Sequence, residues 1–171
     1  MIVLRLLAFL TVLCLASAAQ AQNNFTTPGS ACVPTGATTS ANRHRTNVAS
    51  VQHATGAVGQ IILFCPMARF NSGTTAWNLK LTYQDSTGTA TTASVVAQVY
   101  QMAIGTATPV LLKTINSNSS AITTLNTVTS TLLTHTFDFE ANIYWMRVAI
   151  SRAATNETVI FHAAVLDGTA I

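Results

Sequence analysis

Ala76-Trp77-Asn78-Leu79-Lys80-Leu81-Thr82-Tyr83-Gln84 is the stretch whose reading decides the fold. Trp77, Leu79, Leu81 and Tyr83 fall on one side of a period of two, and Asn78, Lys80, Thr82 and Gln84 on the other. Successive side chains of a strand point to opposite faces, so this pattern describes an antiparallel strand with one face in a core and one in water. Trp77 and Tyr83 share their face with two leucines, which assigns both rings to the core. Asp85-Ser86-Thr87-Gly88 follows as a turn, with Gly88 free to take a positive φ.

The same pattern extends in both directions. Upstream, 46–53 reads as a strand, 55–59 as a break, and 60–67 (QIILFCPM) as a buried strand ended near Pro66. Downstream, 92–102 places Val95, Ala97 and Val99 on one face, and Pro109 opens a run at 110–115. Segment 116–131 is rich in Ser, Thr and Asn and reads as a long loop or a weakly patterned edge strand. Next, 132–139 places Leu133, His135, Phe137 and Phe139 together, and 143–152 does the same for Tyr144, Met146, Val148 and Ile150. Segment 157–166 sets Val159, Phe161, Ala163 and Val165 against Ile160, His162, Ala164 and Leu166. About eight strands with short turns and no helical pattern predict an all-β fold, a single antiparallel β-sandwich. Jelly-roll order is the first choice and immunoglobulin-like order the second.

The N-terminus has a different composition. Arg5 precedes an apolar run at 6–15, and small residues follow to Ala19-Gln20-Ala21. That is the layout of a signal peptide over 1–21, preceding the sandwich as a helix, with cleavage after Ala21 or alternatively Ala18. An uncleaved anchor would need about 20 apolar residues, more than this run supplies. Residues 22–42 are rich in Thr, Ser, Gly and Asn and read as an extended or flexible arm, leaving 43–171 as the sandwich domain. Of three cysteines, Cys14 leaves with the leader. Cys32 and Cys65 remain as an even pair in an oxidising compartment, predicting one disulfide. The expected location is secreted or periplasmic, with no membrane attachment once the leader is removed. Without Arg5, seven cations face five carboxylates, too thinly spread to track a phosphate backbone, so no nucleic acid is expected.

Several segments together resemble a group of small exported two-cysteine β-sandwich proteins of proteobacteria, notably rhizobial-type bacteria. They are Ala31-Cys32-Val33-Pro34, Gly56-Ala57-Val58-Gly59-Gln60-Ile61, Phe64-Cys65-Pro66, Tyr83-Gln84-Asp85-Ser86-Thr87-Gly88, Thr136-Phe137-Asp138-Phe139 and Tyr144-Trp145-Met146-Arg147-Val148. The resemblance covers nearly the whole mature chain. It implies compartment and architecture, and it brings no activity and no site residue.

Motifs for chemistry are sparse. The chain has no G-x-S-x-G and no phosphate loop, and neither mature cysteine stays free if the disulfide forms. Asp138 and Glu140, two apart, would share a strand face about 7 Å apart, a spacing open to an inverting glycosidase or to two solvated acids at a strand end. His44, His53, His135 and His162 show no metal-ligand spacing, and Arg43-His44-Arg45 reads as a solvated strand edge. Asn24, Asn118 and Asn156 begin N-x-S/T triplets, which matter only on a eukaryotic secretory path. No catalytic, cofactor-binding or metal-binding residue is expected, and no cofactor. Trp145 stands apart. With Arg147 it lies on the face opposite Tyr144, Met146, Val148 and Ile150, so the pair is the candidate binding surface. The expected function is a non-enzymatic binding or structural module for a glycan or protein partner. The alternatives are a small secreted hydrolase and a subunit of a surface assembly docked through the arm.

Overall fold

The structure is a computed structural model that describes residues 24–36, 44–70 and 75–168, and all side chains among these except that of Arg45. The expected leader, with Cys14 and the cut after Ala21, lies outside the described residues, as does Arg43.

Among the described residues twelve strands form two antiparallel sheets. In chain order they are β1 (Asn24–Pro28), β2 (Val33–Pro34), β3 (His44–Asn47), β4 (Ser50–His53), β5 (Gly59–Pro66) and β6 (Ala76–Asp85). After them come β7 (Ala93–Ala103), β8 (Val110–Asn116), β9 (Leu125–Thr129), β10 (Leu133–Thr134), β11 (Asn142–Arg152) and β12 (Val159–Gly168). One sheet runs β10-β6-β12-β4-β3, with β9 also on β6 and β1 also on β12; the other runs β2-β5-β11-β7-β8. Taking β9 and β10 as one interrupted strand along β6, the two main sheets read β4-β12-β6-β9 and β5-β11-β7-β8. The chain crosses between them in the double Greek-key order of a jelly roll.

Between the sheets lies one core. Trp77, Leu79, Leu81, Tyr83, Phe161 and Leu166 come from the larger sheet, and Ile61, Leu63, Val95, Val99, Met146, Val148 and Ile150 from the smaller. All thirteen are fully shielded from solvent, so the alternation seen at 76–84 is the alternation of the core wall. Rings of Phe70, Trp77, Phe137, Phe139, Tyr144 and His135 close one end, with Phe137 edge-on to Trp77 at 5.1 Å. At the other end Asp85 is buried and satisfied: its carboxylate accepts from Ser117 Oγ at 2.6 Å, Thr87 Oγ1 at 2.9 Å and Thr87 N at 3.0 Å. Gly88 has the expected left-handed backbone in this turn, with φ 60°.

Four expectations need correction. Residues 24–28, expected in an arm, are a strand paired with β12 from Asn24↔Asp167 to Pro28↔Ala163. The pairing is tight enough that a Cβ at Gly29 would lie 2.8 Å from the Phe161 carbonyl oxygen, so only glycine fits there. The strand expected at 46–53 is instead a hairpin, β3 and β4, turning at Val48 and Ala49. The strand expected at 132–139 stops at Thr134. Beyond its two pairs with β6, His135 N still bonds Thr75 O, and 135–138 has no regular structure. In β12 a bulge between Phe161 and Ala163 reverses the alternation: Val159 and Phe161 face inward, then Ala164 and Leu166. The bulge falls where the neighbour of β12 changes from β4 to β1.

The Cys32–Cys65 disulfide is formed as expected. It lies where the chain leaves β1 in one sheet for β2 in the other, and so ties that crossing to β5.

Candidate functional site

The two sheets present different outer faces. On the larger sheet the outward residues of β6 are Asn78, Lys80, Thr82 and Gln84. Lys80 pairs with Asp167 of β12, and Thr82 meets Thr127 at 2.9 Å. Along β6 this is ordinary solvated surface.

The smaller sheet turns aromatic and aliphatic groups outward. Register places them in rows across the strands. In one row Val33 of β2 lies beside Phe64 of β5, then Arg147 of β11 and Gln98 of β7. In the next, Pro66 lies beside Trp145, then Tyr100, then Leu111 of β8. Because β5, β7 and β11 bury their alternate residues in the core, the outward set on these three is fixed by the pleat. Trp145 is the centre. Its ring is nearly parallel to that of Tyr100, 5.5 Å away at 11°, and to that of Phe64, 6.2 Å away at 27°. Three rings thus form a continuous strip over three strands. Phe64 is 37 % exposed, Leu111 48 % and Val33 56 %, which extends the apolar surface to both sides of the strip.

Polar groups adjoin the rings on one side. Arg147 Nη1 donates to Gln98 Oε1 at 2.9 Å, and Tyr100 Oη donates to the same oxygen at 3.3 Å. Trp145 and Arg147, expected as the binding surface, are therefore neighbours on one outward face. Sequence reasoning missed Phe64, Tyr100 and Gln98. Phe64 was hidden inside the run QIILFC, and Tyr100 followed Val99 without a pattern of its own. The missed signal was the register: an outward Trp on β11 implies outward partners on the strands either side.

The other candidates serve the scaffold. Asp138 and Glu140 do not share a strand face. Asp138 Oδ1 accepts from the backbone N of Glu140 and of Ala141, capping the turn, while Glu140 meets Arg69 at 3.1 Å in solvent. They edge an open cleft of about 700 Å³ with Arg69, Phe70, Thr136 and Phe139. A smaller cleft of about 260 Å³ holds Arg152 and Glu157. Arg152 donates to the carbonyls of Ala54, Ala57 and Glu157, and Glu157 accepts from the backbone N of Ala153 and Ala154. Backbone donors, that of Ala154 foremost, hold the Glu157 carboxyl below its ordinary value.

The histidines are dispersed. His53 is buried with Nε2 against Gly59 O at 3.0 Å, and it pairs across the β3–β4 hairpin with His44. His135 packs edge-on against Phe137 and reaches Tyr144 Oη at 3.4 Å. Burial depresses the pKa of both His135 and His162. Among the described residues no group of three or more His, Cys, Asp or Glu could hold a metal ion. Of the N-x-S/T asparagines, Asn118 is engaged: its Nδ2 donates to Ala90 O, and its Oδ1 accepts from Ser117 Oγ.

No family model matches the chain, and no curated protein does. Among solved structures it is similar to the CBM36-1 domain of a multidomain xylanase from the hindgut metagenome of Trinervitermes trinervoides. The TM-score is 0.45 at 10 % identity, over 87 % of this chain and 100 % of that one. It is also similar to a xylan-binding module, CBM15, with TM-score 0.42 and 14 % identity over 88 % of this chain and 92 % of that one. A family two carbohydrate esterase from Cellvibrio japonicus gives 0.40 and 19 % over 85 % of this chain but 34 % of that one. Likenesses at this level leave the function to be read from the chain's own surface.

Proposed function

We propose that the protein is an exported, non-catalytic binding module that takes a glycan on the strip Phe64–Trp145–Tyr100. The observation that carries this is the strip itself: three near-parallel rings side by side on one sheet face. A pyranose ring has an apolar C–H face and a rim of hydroxyls. Adjacent aromatic rings meet the first, and the neighbouring Arg147 and Gln98 meet the second. Pre-set strands keep the ordering cost of such a site low. Contiguous apolar side chains at a surface are a feature of interaction sites. Export is supported by the leader-like 1–21 and by the Cys32–Cys65 disulfide, which suits an oxidising compartment. Among the described residues no helix is long and apolar enough to cross a membrane.

Affinity electrophoresis against a panel of soluble plant, algal and bacterial polysaccharides tests the reading. The native protein should be retarded by at least one, and Trp145→Ala should weaken that binding by roughly five- to thirtyfold, the loss of one or two kcal/mol of ring contact. Retardation by none, or unchanged binding by Trp145→Ala, overturns it. Turnover of chromogenic glycosides or esters that Asp138→Asn abolishes would replace it with a hydrolase.

A further inference from the structure

Resting on that glycan reading, we infer that the ligand is an acidic glycan, a polymer bearing uronic-acid carboxylates, and that Arg147 contacts the carboxylate. Arg147 is the sole charged side chain among the outward positions of β5, β7 and β11. Nearby Lys113, on β8, turns away across the open side of the sandwich, donating to Thr131 Oγ1 and Leu132 O. None of the five carboxylates of the chain neutralises Arg147. Asp85 is buried against Ser117, Asp138 caps its turn, Glu140 meets Arg69, Glu157 caps a second turn and Asp167 meets Lys80. The partner Arg147 does have is the neutral amide of Gln98, which orients the guanidinium without cancelling its charge.

Donor and acceptor chemistry points the same way. A guanidinium and an indole N–H donate and cannot accept. The Gln98 carbonyl oxygen already receives from both Arg147 and Tyr100, which leaves Tyr100 Oη as the acceptor beside it. The polar side of the strip is therefore rich in donors and poor in acceptors. A carboxylate is acceptor-only, and a guanidinium can grip it through two parallel N–H bonds. A neutral sugar rim, whose hydroxyls both donate and accept, is matched less well.

Polygalacturonate and its fully methyl-esterified form share one backbone and differ in charge, so they are the probe pair. In calorimetric titrations the native protein should bind the acid form at least about tenfold more tightly than the ester, and the preference should shrink as salt is raised. Arg147→Gln should weaken binding of the acid form far more than that of the ester, and so lose the preference. Arg147→Lys should keep part of the preference, since charge remains but the fork is lost. Thermal melting checks that the variants fold. Equal binding of acid and ester by the native protein, or a preference that survives Arg147→Gln, overturns the inference. Binding of neutral polysaccharides alone overturns the inference and leaves the glycan reading standing; binding of no polysaccharide overturns both.

Discussion

Removal of the Cys32–Cys65 cross-link should lower stability by several kcal/mol without changing the fold. The bond spans 33 residues. Loop-closure entropy in the unfolded chain, about 2.1 + 1.5R ln n cal/mol/K, gives about 3.7 kcal/mol at 25 °C for a loop of this length. A second contribution arises in the folded state. Cys65 is fully buried and Cys32 nearly so, both within the core. Truncation of both to alanine removes two sulfur atoms from packed surroundings, at about 0.8 kcal/mol for each methylene-sized group. Cys32→Ala/Cys65→Ala should therefore lose about 5 kcal/mol, a large share of the 5–15 kcal/mol typical of a domain. Reduction of the native bond should lose mainly the loop contribution. Urea unfolding read by far-UV circular dichroism and by Trp77, which lies fully inside the core, measures both quantities. The two strands joined by the bond differ in their other support. β1 keeps five pairs with β12, whereas β2 has two pairs with β5. Hydrogen exchange should accordingly show β2 loosened and β1 retained on reduction. A loss below about 1 kcal/mol on reduction would refute the loop argument. Loss of β1 protection together with β2 would refute the claim that β12 holds β1 independently.

Two further outcomes follow from local geometry. Val48, 95 % exposed, sits at φ 48° in the β3–β4 turn, a backbone region that costs a β-branched residue about 1–3 kcal/mol. Val48→Gly relieves that cost, gives back about 0.5–1 kcal/mol through the freer unfolded chain, and should stabilise by about 1 kcal/mol in urea titrations; a lower midpoint would contradict it. Acid should destabilise the protein. Burial lowers the folded-state pKa of His135 and His162 below 6.5, so the unfolded chain takes up their protons first, and stability falls as pH drops below about 6.5. Glu157, also depressed, adds a loss at more acid pH, below its ordinary value of 4.5. Melting temperatures measured between pH 8 and pH 5 should decline, and the decline should be shallower in His135→Gln; equal slopes would acquit His135.

The sequence exposed the walls of the fold more readily than its joints. At 76–84 one strand buries every second residue against a single core, so a period of two survives intact from sequence to structure. β12 obeys the same physics, but its bulge at His162 inverts the pattern halfway, and the cause lies in other strands: β4 pairs with its first part and β1 with its second. No local property of 157–166 carries that information. The same holds for 24–28, whose polar composition suits a loop, because β1 contributes little to the core beyond Phe25 and Thr27 and is held by backbone bonds to β12. At 135–139 an alternation that is present in the residues produces no strand: the rings of His135, Phe137 and Phe139 pack against Tyr144 instead.

The candidate site shows the same division between local and non-local information. Trp145 was legible because β11 is long and its inward face uniformly apolar, so an aromatic residue out of phase must point away from the core. Phe64 and Tyr100 were not, because their own strands offer apolar or mixed residues on both faces, and only cross-strand register shows which side each takes. The disulfide bears on this surface as well. By holding the short β2 beside β5 it keeps Val33 next to Phe64, at the end of the ring strip away from Tyr100. If the strip binds as a unit, reduction should weaken ligand binding even under conditions where the sandwich stays folded, and Val33→Ser should reproduce that weakening with the disulfide intact. Unchanged affinity in both would confine the binding surface to Trp145, Tyr100 and the groups beside them.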